Sequence, residues 1–548
     1  MNAGDVGSER DALIVGAGFA GLYMLHRLRQ MGFRARVLEA GHGVGGVWYW
    51  NRYPGARCDI ESTQYSYQFS PDLEQDWCWS ERYATQAEIL SYAEHVADRF
   101  DLRGDIELGT RVVAMRFDET AKHWRVSCQD GRCFTSRVVI MATGCLSVPS
   151  WPAIPGLSTF GGEVHHTGTW PQAGVDFRDK RVAVIGTGSS GIQSIPVIAR
   201  EARHLTVFQR TAAYSVPARN IALPPSVLTG IKAIYRQLRA RAKQMPTGVL
   251  FDSSTETARE TPPERRQREY ERRWQRGGLT FLSAYSDLLT DIEANRTAAD
   301  FVRAKIGQLV KDPAVAERLM PATPIGARRL CVDLGYYETF NQENVTLVDV
   351  SATPIETIGE TGVVVGGQVH PADIIVLATG FDAMTGALMR IDIEGRGGSR
   401  LMQKWKEGPR TYLGLAMHGF PNLFTITGPG SPSVLTNMLP SIEQHVEWIG
   451  DCLLAMREKR IAAIEAIAEA EDAWVAHVAD EASLSLRGNE NSWYVGSNVP
   501  GKPRVFMPYT GGVPKYARIC DTVAARGYEG FKLEPAVAAA GPREPEPA

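Results

Sequence analysis

Three glycines spaced as Gly16-x-Gly18-x-x-Gly21 directly follow a short apolar run, and a helical pattern follows them. In such a turn the first glycine permits a tight bend, the second lets the backbone approach a pyrophosphate, and the third lets helix and strand pack closely. The N–H groups and the dipole at the helix start favour the phosphates. Glu39 ends the next strand, 23 residues after Gly16, where a carboxylate can bind ribose hydroxyls. These residues predict a dinucleotide site, the alternative being a glycine-rich turn without a ligand.

A second turn has the same spacing, Gly186-x-Gly188-x-x-Gly191, again between a strand pattern and a helix pattern. The position 23 residues after Gly186 holds Gln209 rather than an acid, and Arg210 follows it. A missing carboxylate removes repulsion against a 2′-phosphate, and a guanidinium can hold that phosphate by charge-assisted hydrogen bonds. This site is therefore predicted to take NADPH rather than NADH. The alternative is that Arg210 is a solvated cation at a strand end.

Two nucleotide sites of different character in one chain indicate a flavin that is reduced by a pyridine nucleotide. The segments 142–144 and 378–380 both read Ala-Thr-Gly, and each follows an apolar strand pattern. Small residues at a strand end leave room for a cofactor close to the backbone. Each segment alone could equally be an ordinary exit from a strand.

The composition excludes several other function classes. The chain has 548 residues and a formal net charge of −3, so it lacks the basic excess expected of a nucleic-acid-binding protein. Its eight cysteines include no C-x-x-C pair, which predicts reduced thiols rather than a disulfide framework or a zinc site. The eleven histidines show neither HxxxH nor HExxH spacing, so no metal site is predicted.

The chain carries no pattern typical of a targeting signal or a membrane span. Its first ten residues are polar, and no stretch approaches the roughly 18 apolar residues that a membrane helix needs. We therefore expect a cytoplasmic protein without membrane contact. The tail 535–548, rich in Ala, Pro and Glu, is predicted to be disordered. The arginine-rich run 264–276 is predicted to be a solvated helix face rather than a site for an acidic partner.

The elements that must position these residues follow from the hydrophobic pattern. Residues 12–40 and 181–210 each have the order strand, glycine-rich turn, helix, strand, which predicts two βαβ units. Between 223 and 327 the strand signals disappear and charged helical sequence dominates. The expected fold class is α/β, with two Rossmann-like dinucleotide-binding domains and a helical insertion.

A further motif, Phe160-x-Gly162-x-x-x-His166-x-x-x-Trp170-Pro171, lies just before the second βαβ unit. It resembles the fingerprint of type I Baeyer–Villiger monooxygenases. The resemblance extends over nearly the whole chain and is greatest to the phenylacetone and steroid monooxygenase branch. By this resemblance, His166 organises the linker between the two nucleotide domains. The other segments that carry the resemblance are 45–62, 378–383, 408–415, 428–439 and 492–506.

The resemblance implies a domain division and a reaction. It implies an FAD-binding domain from 1–146 and 385–548, an NADP-binding domain from 147–220 and 328–384, and a helical insertion at 221–327. NADPH would reduce FAD, and O₂ would then form a C4a-peroxyflavin that attacks a ketone. One oxygen atom would enter beside the carbonyl, giving an ester or lactone. The implied partners are a small-molecule ketone and O₂, without nucleic acid or membrane, and the oligomeric state stays open, a monomer included.

Two charged residues take catalytic positions by resemblance. Arg329 is similar to the family's active-site arginine, and Asp59 to the family's acid near the flavin. A guanidinium stabilises the negative charge that develops on oxygen, and a carboxylate would orient it through a bidentate pair. Arg328 stands where the family often has a lysine that helps hold the 2′-phosphate. A positive charge is retained there, although Arg and Lys are not interchangeable.

The resemblance also supplies cofactor and substrate positions. Trp493 is similar to the family's tryptophan on a mobile loop that closes over the nicotinamide. Further cofactor contacts are expected at Gly46, Trp48, Tyr65 and Val112 for FAD, and at Ser189 and Thr211 for NADPH. The expected ketone pocket is lined by Leu146, Ser433, Val434, Leu435 and Met438.

Three other functions share part of this pattern. A flavin-containing monooxygenase that oxygenates sulfur or nitrogen would have both nucleotide units, but the motif at 160–171 fits it worse. A pyridine-nucleotide disulfide reductase needs a redox cysteine pair, and Cys58 has no close partner in sequence. A non-catalytic NADPH-binding sensor would lack the pairing of Arg329 with Asp59.

Overall fold

A computed structural model describes residues 10–488 and 490–536. The larger of its two nucleotide-binding sheets has eight strands and is mixed in direction. The βαβ core is parallel, since Arg10–Val15 pairs with both Ala35–Leu38 and Cys133–Met141 in that sense. Across the sheet the order is Asp392–Glu394, Val112–Asp118, His123–Cys128, Cys133–Met141, Arg10–Val15, Ala35–Leu38 and Ile106–Glu107, with Leu423–Thr425 also on Cys133–Met141.

The second sheet has five strands, all of them parallel. Its order is Val345–Asp349, His204–Gln209, Arg181–Ile185, Ile374–Leu377 and Glu163–His166. The described residues also form three smaller sheets. One is antiparallel and contains Ile355–Gly359, Gly362–Val365 and Gln368–Pro371. The second pairs Ser215–Pro217 with Cys331–Asp333 in parallel, and the third pairs Ile461–Ala466 with Phe531–Pro535 in antiparallel fashion. Two Rossmann-like α/β units are therefore present, as the sequence predicts.

α-Helices pack against both nucleotide-binding sheets. The described residues form Phe19–Gln30, Val47–Trp50, Pro71–Asp76, Gln86–Arg99, Ser189–Glu201, Pro225–Ala233, Tyr235–Lys243, Pro263–Arg276, Ile292–Leu309, Pro313–Leu319, Tyr336–Thr339, Gly386–Met389, Leu401–Lys404, Met438–Glu458, Ala468–Ser483 and Val513–Ala525.

Both nucleotide units draw elements from distant parts of the chain. The helix Phe19–Gln30 buries Leu22, Leu25 and Leu28 at three-residue intervals and packs against the late helix Met438–Glu458. Leu22, Leu25 and Leu28 share one core cluster with Val446 and Ile449 of that late helix. The late strands at 374–377 and 345–349 likewise complete the second sheet. The C-terminal half is therefore structurally necessary to both sites.

Residues 221–327 contain helices and no strand, and all of them are described. In the helix Pro263–Arg276 most arginines face solvent, as predicted. Arg273 is the exception, since it is 2% exposed. Its guanidinium donates to Glu269 Oε1 at 2.7 Å and to Thr280 O at 2.9 Å. The prediction of a solvated face is wrong for this arginine because its carboxylate and carbonyl partners replace water.

The structure bears on three other sequence-based expectations. No helix within the described residues is long and apolar enough to cross a bilayer. All eight cysteines lie in the described part of the chain and carry free thiols. Of the tail predicted to be disordered, Pro535 closes the strand Phe531–Pro535. Residues 537–548 lie outside the described residues.

Candidate active site

The first glycine-rich turn connects the strand Arg10–Val15 to the helix Phe19–Gln30. Gly16 has a φ of 108°, and a Cβ there would lie 2.6 Å from the carbonyl oxygen of Ala142. A Cβ on Gly21 would lie 1.8 Å from the oxygen of Gly16. Both distances are too short for non-bonded atoms, so the turn excludes side chains at these positions.

Glu39 is fixed at the wall beside this turn. Its carboxylate is 5% exposed and accepts hydrogen bonds from the backbone N–H groups of Ala17 and Gly41, both at 2.7 Å. Burial raises the pKa of Glu39, and these two hydrogen bonds oppose the rise. The bonds fix both oxygens at the cleft and leave lone pairs for hydroxyl donors.

The second turn repeats this geometry. Gly186 has a φ of 109°, and a Cβ there would lie 2.5 Å from the oxygen of Ala378. A Cβ on Gly191 would lie 2.2 Å from the oxygen of Gly186, whereas one on Gly188 would meet no atom within 4 Å. The backbone at Gly188 therefore faces open space at the start of the helix Ser189–Glu201. That position suits an approaching phosphate.

Both turns open into one cleft with a volume of 2460 Å³. Sites for one small ligand usually measure roughly 300–1,000 Å³. The cleft therefore has room for more than one ligand. Predicted site residues that line it are Gly16, Gly18, Glu39, Gly46, Trp48, Asp59, Tyr65, Val112, Leu146, Gly186, Gly188, Ser189, Arg210, Thr211, Arg328, Arg329, Val434, Leu435, Met438 and Trp493.

Asp59 and Arg329 meet in this cleft although 270 positions separate them. The Nε and Nη2 of Arg329 lie 3.0 and 2.8 Å from Asp59 Oδ2. Asp59 is 5% exposed and Arg329 33% exposed in their side chains. Burial alone would lower the pKa of Arg329, but the charge of Asp59, its hydrogen bond and smaller contributions from neighbouring groups together outweigh burial and hold the pKa above its ordinary value. The guanidinium therefore stays charged.

Arg329 makes two hydrogen bonds to Asp59, and both go to the same carboxylate oxygen. Gln193 Nε2 donates to the other oxygen, Oδ1, at 3.3 Å. Gln193 also accepts a hydrogen bond from the hydroxyl of Tyr53 at 2.8 Å. It projects from the helix Ser189–Glu201. Sequence reasoning missed Gln193 because its role depends on the packing of one nucleotide unit against the other.

Arg328 also has a carboxylate partner that the sequence did not indicate. Its Nε and Nη2 lie 3.0 and 2.9 Å from Oε1 of Glu490. Glu490 precedes Trp493 in the chain, and the ring centroids of Trp493 and Tyr494 are 4.3 Å apart. Arg328 and Arg329 are thus neighbours in sequence but pair with carboxylates from two distant parts of the chain.

The segment carrying Trp493 is joined to the end of a strand of the second sheet. Lys502 Nζ lies 2.6 Å from Asp382 Oδ1 and donates to the carbonyl of Ala383 at 2.7 Å. Asn498 Nδ2 donates to the carbonyl of Phe381 at 2.7 Å. These contacts place Trp493 at the cleft wall.

The expected ketone-pocket residues separate into two groups. Leu146, Leu435 and Met438 pack on one apolar cluster that contains Val434. Ser433 does not line the cleft, because it is fully buried and its Oγ lies 3.8 Å from the sulfur of Met384. The expectation that Ser433 lines the ketone pocket is therefore wrong, since its side chain points into the protein.

The fingerprint residues lie outside the cleft. Trp170 is 6% exposed, Phe160 packs on the core of the second sheet, and a Cβ on Gly162 would lie 2.2 Å from the oxygen of Asp373. His166 is 1% exposed, and its Nδ1 accepts from the N–H of Gly168 at 2.9 Å. These contacts are structural and do not reach the Asp59–Arg329 pair.

The other ring nitrogen of His166 ties the linker to the second sheet. Because Nδ1 accepts, the proton lies on Nε2, which donates to Thr379 Oγ1 at 3.2 Å. Thr379 in turn donates to the carbonyl of Ser150 at 2.7 Å. This chain joins the motif at 160–170 to the segment 378–380, and it requires a neutral histidine.

We predict that protonation of His166 destabilises the protein at acid pH. Burial lowers its pKa from 6.5 to about 4, so the unfolded chain binds the proton more readily than the folded one. The stabilising contribution is therefore complete above about pH 6.5 and is lost as the pH falls towards 4. The midpoint of urea unfolding should be measured at pH values between these limits. As the pH falls, the midpoint should decrease more steeply for the wild type than for His166→Gln. Parallel curves for the two proteins would contradict this role.

Known proteins are similar in sequence to this chain along nearly their whole length. A family model described as pyridine nucleotide-disulphide oxidoreductase matches residues 13–271. A Baeyer–Villiger monooxygenase of Pseudooceanicola batsensis is 42% identical, covering 96% of this chain and 97% of that protein. A phenazine N-monooxygenase of Lysobacter antibioticus is 40% identical, covering 95% and 97%.

A solved structure agrees with the architecture. The structure of an oxidized steroid monooxygenase bound to NADP superimposes with a TM-score of 0.92. It is 50% identical, covering 96% of this chain and 100% of that one. The identity and coverage of these relatives, together with the paired glycine turns and the Asp59–Arg329 pair, show that this chain belongs to the Baeyer–Villiger monooxygenase family.

Proposed function

We propose that this protein uses NADPH and O₂ to insert one oxygen atom beside a ketone carbonyl, giving an ester or a lactone. The observation that carries the proposal is the charged pair of Arg329 and Asp59 in a cleft that both glycine turns line. Arg329 presents a permanent positive charge there, where a carbonyl oxygen can become negative. Similarity to monooxygenases over nearly the full length supports the same reaction.

The first turn fits FAD and the second fits NADPH. Gly16 and Gly18 line the cleft without side chains, so a pyrophosphate can approach the backbone, and Glu39 offers a fixed carboxylate to a ribose. At the second turn, open space at Gly188 and the exposed Arg210 suit a phosphate-bearing coenzyme. When bound, FAD supplies the electron transfer and oxygen activation that no side chain can supply.

The side chains contribute position and charge. Arg329 stabilises the negative charge that develops on the substrate oxygen. Asp59 holds the guanidinium in place, and Gln193 in turn donates a hydrogen bond to Asp59. Trp48 donates from Nε1 to the hydroxyl of Tyr65 at 3.1 Å, which orders two aromatic rings on the cleft wall beside the FAD turn.

The apolar side of the cleft binds the hydrocarbon part of the ketone. Leu146, Val434, Leu435 and Met438 offer no strong hydrogen-bond partner, so they favour apolar groups and exclude water. Trp493 lies on the same cleft and would contact the nicotinamide. Water exclusion strengthens the field of Arg329 on the reacting oxygen.

We divide the chain accordingly. The FAD-binding domain comprises 1–146 and 385–548, the NADP-binding domain 147–220 and 328–384, and the helical insertion 221–327. The late strands that complete each sheet support this division. We place the protein in the cytoplasm, since its eight cysteines are free thiols, as is usual in reducing compartments.

NADPH should be preferred over NADH by at least about tenfold in kcat/KM, since a charge-assisted hydrogen bond contributes roughly 1.5–3 kcal/mol. Arg210 is exposed at the second turn and lines the cleft, where it can reach a 2′-phosphate. Arg210→Ala should reduce the preference, mostly through the KM for NADPH, with little change for NADH. Initial rates with both coenzymes measure this, and equal efficiencies in the wild type would contradict the assignment.

Oxygenation of nitrogen or sulfur is the second candidate function. It is favoured by the similarity to the phenazine N-monooxygenase of Lysobacter antibioticus. Such a substrate develops no negative carbonyl oxygen, so it would make less use of Arg329. The two functions are therefore separable by substrate.

A substrate panel tests the proposal. NADPH consumption should be followed with aryl, cyclic, long-chain and steroid ketones, and with a sulfide and an aromatic amine as the alternative substrates. Mass spectrometry should identify esters or lactones as the main products. Oxidation of the sulfide or amine at higher kcat/KM than every ketone would favour the second function.

A further inference from the structure

The ion pair between Arg328 and Glu490 is not explained by the reaction proposed above. Both guanidinium nitrogens that face Glu490 bind a single oxygen, Oε1, at 3.0 and 2.9 Å. The side chain of Arg328 is 31% exposed and that of Glu490 is 15% exposed, so water screens their attraction only in part. Both Arg328 and the adjoining segment line the cleft of the second turn.

The backbone that precedes each residue of this pair is held by hydrogen bonds. The N–H of Leu486 donates to the carbonyl of Leu289 at 2.9 Å. Arg487 Nε donates to the carbonyl of Gly326 at 3.0 Å, two residues before Arg328. The stretch that carries Glu490 is therefore docked on the stretch that carries Arg328, and the ion pair is not a chance contact of two solvated chains.

We propose that Glu490 sets the affinity for NADPH by competing with the 2′-phosphate for Arg328. This inference rests on the proposed function and on the family resemblance, which assigns Arg328 to that phosphate. The guanidinium must release Glu490, or share its charge between two anions, when the phosphate arrives. NADH has no such group, so its binding leaves the pair intact.

The charges determine the direction of the effect. A phosphate monoester carries a charge of about −1.5 to −2 near neutral pH, more than one carboxylate, so it can displace Glu490 from the guanidinium. Displacement still breaks the ion pair between Arg328 and Glu490, and this loss reduces the net free energy of NADPH binding. Removing the Glu490 charge should therefore tighten NADPH binding, whereas a residue that merely positioned Arg328 would weaken it when removed.

Binding measurements on the FAD-loaded, oxidised protein test this without turnover. Isothermal titration calorimetry should give the Kd of NADP⁺ and of NAD⁺ for the wild type, Glu490→Gln, Arg328→Ala and the double variant. For Glu490→Gln we expect the Kd of NADP⁺ to fall about two- to fivefold, the range of partly exposed ion pairs. The Kd of NAD⁺ should not change. In the Arg328→Ala background the same substitution should have no effect.

A matched control removes a different partly exposed ion pair, away from the cleft. Glu271→Gln breaks the contact with Lys305 and also removes one negative charge. It should not tighten NADP⁺ binding. Equal tightening by Glu271→Gln would mean that net charge alone is responsible, and the inference would be overturned.

The remaining outcomes separate this inference from the function on which it rests. If Arg328→Ala weakens NADP⁺ but Glu490→Gln leaves it unchanged or weakens it, Arg328 binds the phosphate and the competition is wrong. If Arg328→Ala leaves NADP⁺ unchanged, the phosphate assignment of Arg328 itself is wrong.

Discussion

Arg329→Ala should still bind FAD and accept electrons from NADPH, yet lose ester formation by a factor of about 10²–10³, the usual effect of removing one stabiliser of a developing oxyanion. Hydride transfer between the two nucleotides needs their proximity and no cation for a carbonyl oxygen. Oxygen insertion needs that cation, and Arg329 is held charged by Asp59 in the cleft. NADPH oxidation by the variant should therefore end in hydrogen peroxide.

Stopped-flow absorbance would follow flavin reduction, and chromatography would follow the ester. Arg390→Ala provides a matched control, because Arg390 also lines the cleft but is exposed and, within the described residues, makes no hydrogen bond to Asp59. The control should keep ester formation coupled to NADPH oxidation. Ester formation by Arg329→Ala at near the wild-type rate would make this arginine a structural cation.

Asp59→Ala should show a similar and milder defect, since Asp59 acts through the guanidinium. Its carboxylate accepts two hydrogen bonds from Arg329 and one from Gln193. Without it, Arg329 loses its orientation but keeps its charge. Peroxide release should therefore rise while some ester is still formed.

Gly21→Ala should abolish stable FAD binding. Its Cβ would lie 1.8 Å from the carbonyl oxygen of Gly16, so the helix Phe19–Gln30 would have to move away from the strand before it. Overpacking of this kind costs about 1–3 kcal/mol or more. The shift would also displace the helix N-terminus from the phosphates. We expect at least about a tenfold rise in the Kd of FAD, with a lower Tm.

The control for this variant is Gly104→Ala. A Cβ on Gly104 would meet no atom within 4 Å, and the residue is exposed. Bound flavin, measured by absorbance after gel filtration, should be normal in Gly104→Ala and largely lost in Gly21→Ala. Full flavin content and an unchanged Tm in Gly21→Ala would show that the turn can relax, contrary to the geometry described above.

The nucleotide units could be predicted from sequence because their signals are local. The predicted order over 12–40 appears as Arg10–Val15, Phe19–Gln30 and Ala35–Leu38, and that over 181–210 as Arg181–Ile185, Ser189–Glu201 and His204–Gln209. In both units an apolar run, a glycine turn and an amphipathic stretch lie within about 30 residues, the size of a βαβ unit. Local hydrogen bonding therefore determines these elements.

The site contacts could not be predicted in the same way. Gln193 reaches Asp59 across 134 positions, and Arg328 reaches Glu490 across 162. Nothing in the spacing of these residues marks them, because the contacts arise only when the two nucleotide units and the late segment pack together. Ser433 shows the converse: its sequence position suggested a pocket residue, but its backbone turns the side chain inward.

The proposed function requires that an oxygen atom from O₂ enter the product beside the carbonyl. The direct measurement is turnover of a ketone with NADPH under ¹⁸O₂, with mass spectrometry of the product. We predict an ester or lactone that carries one ¹⁸O atom, placed by fragmentation at the bridging oxygen, with one NADPH consumed for each molecule formed. A product labelled at nitrogen or sulfur instead, or NADPH consumption that yields only peroxide with every ketone, would contradict the account.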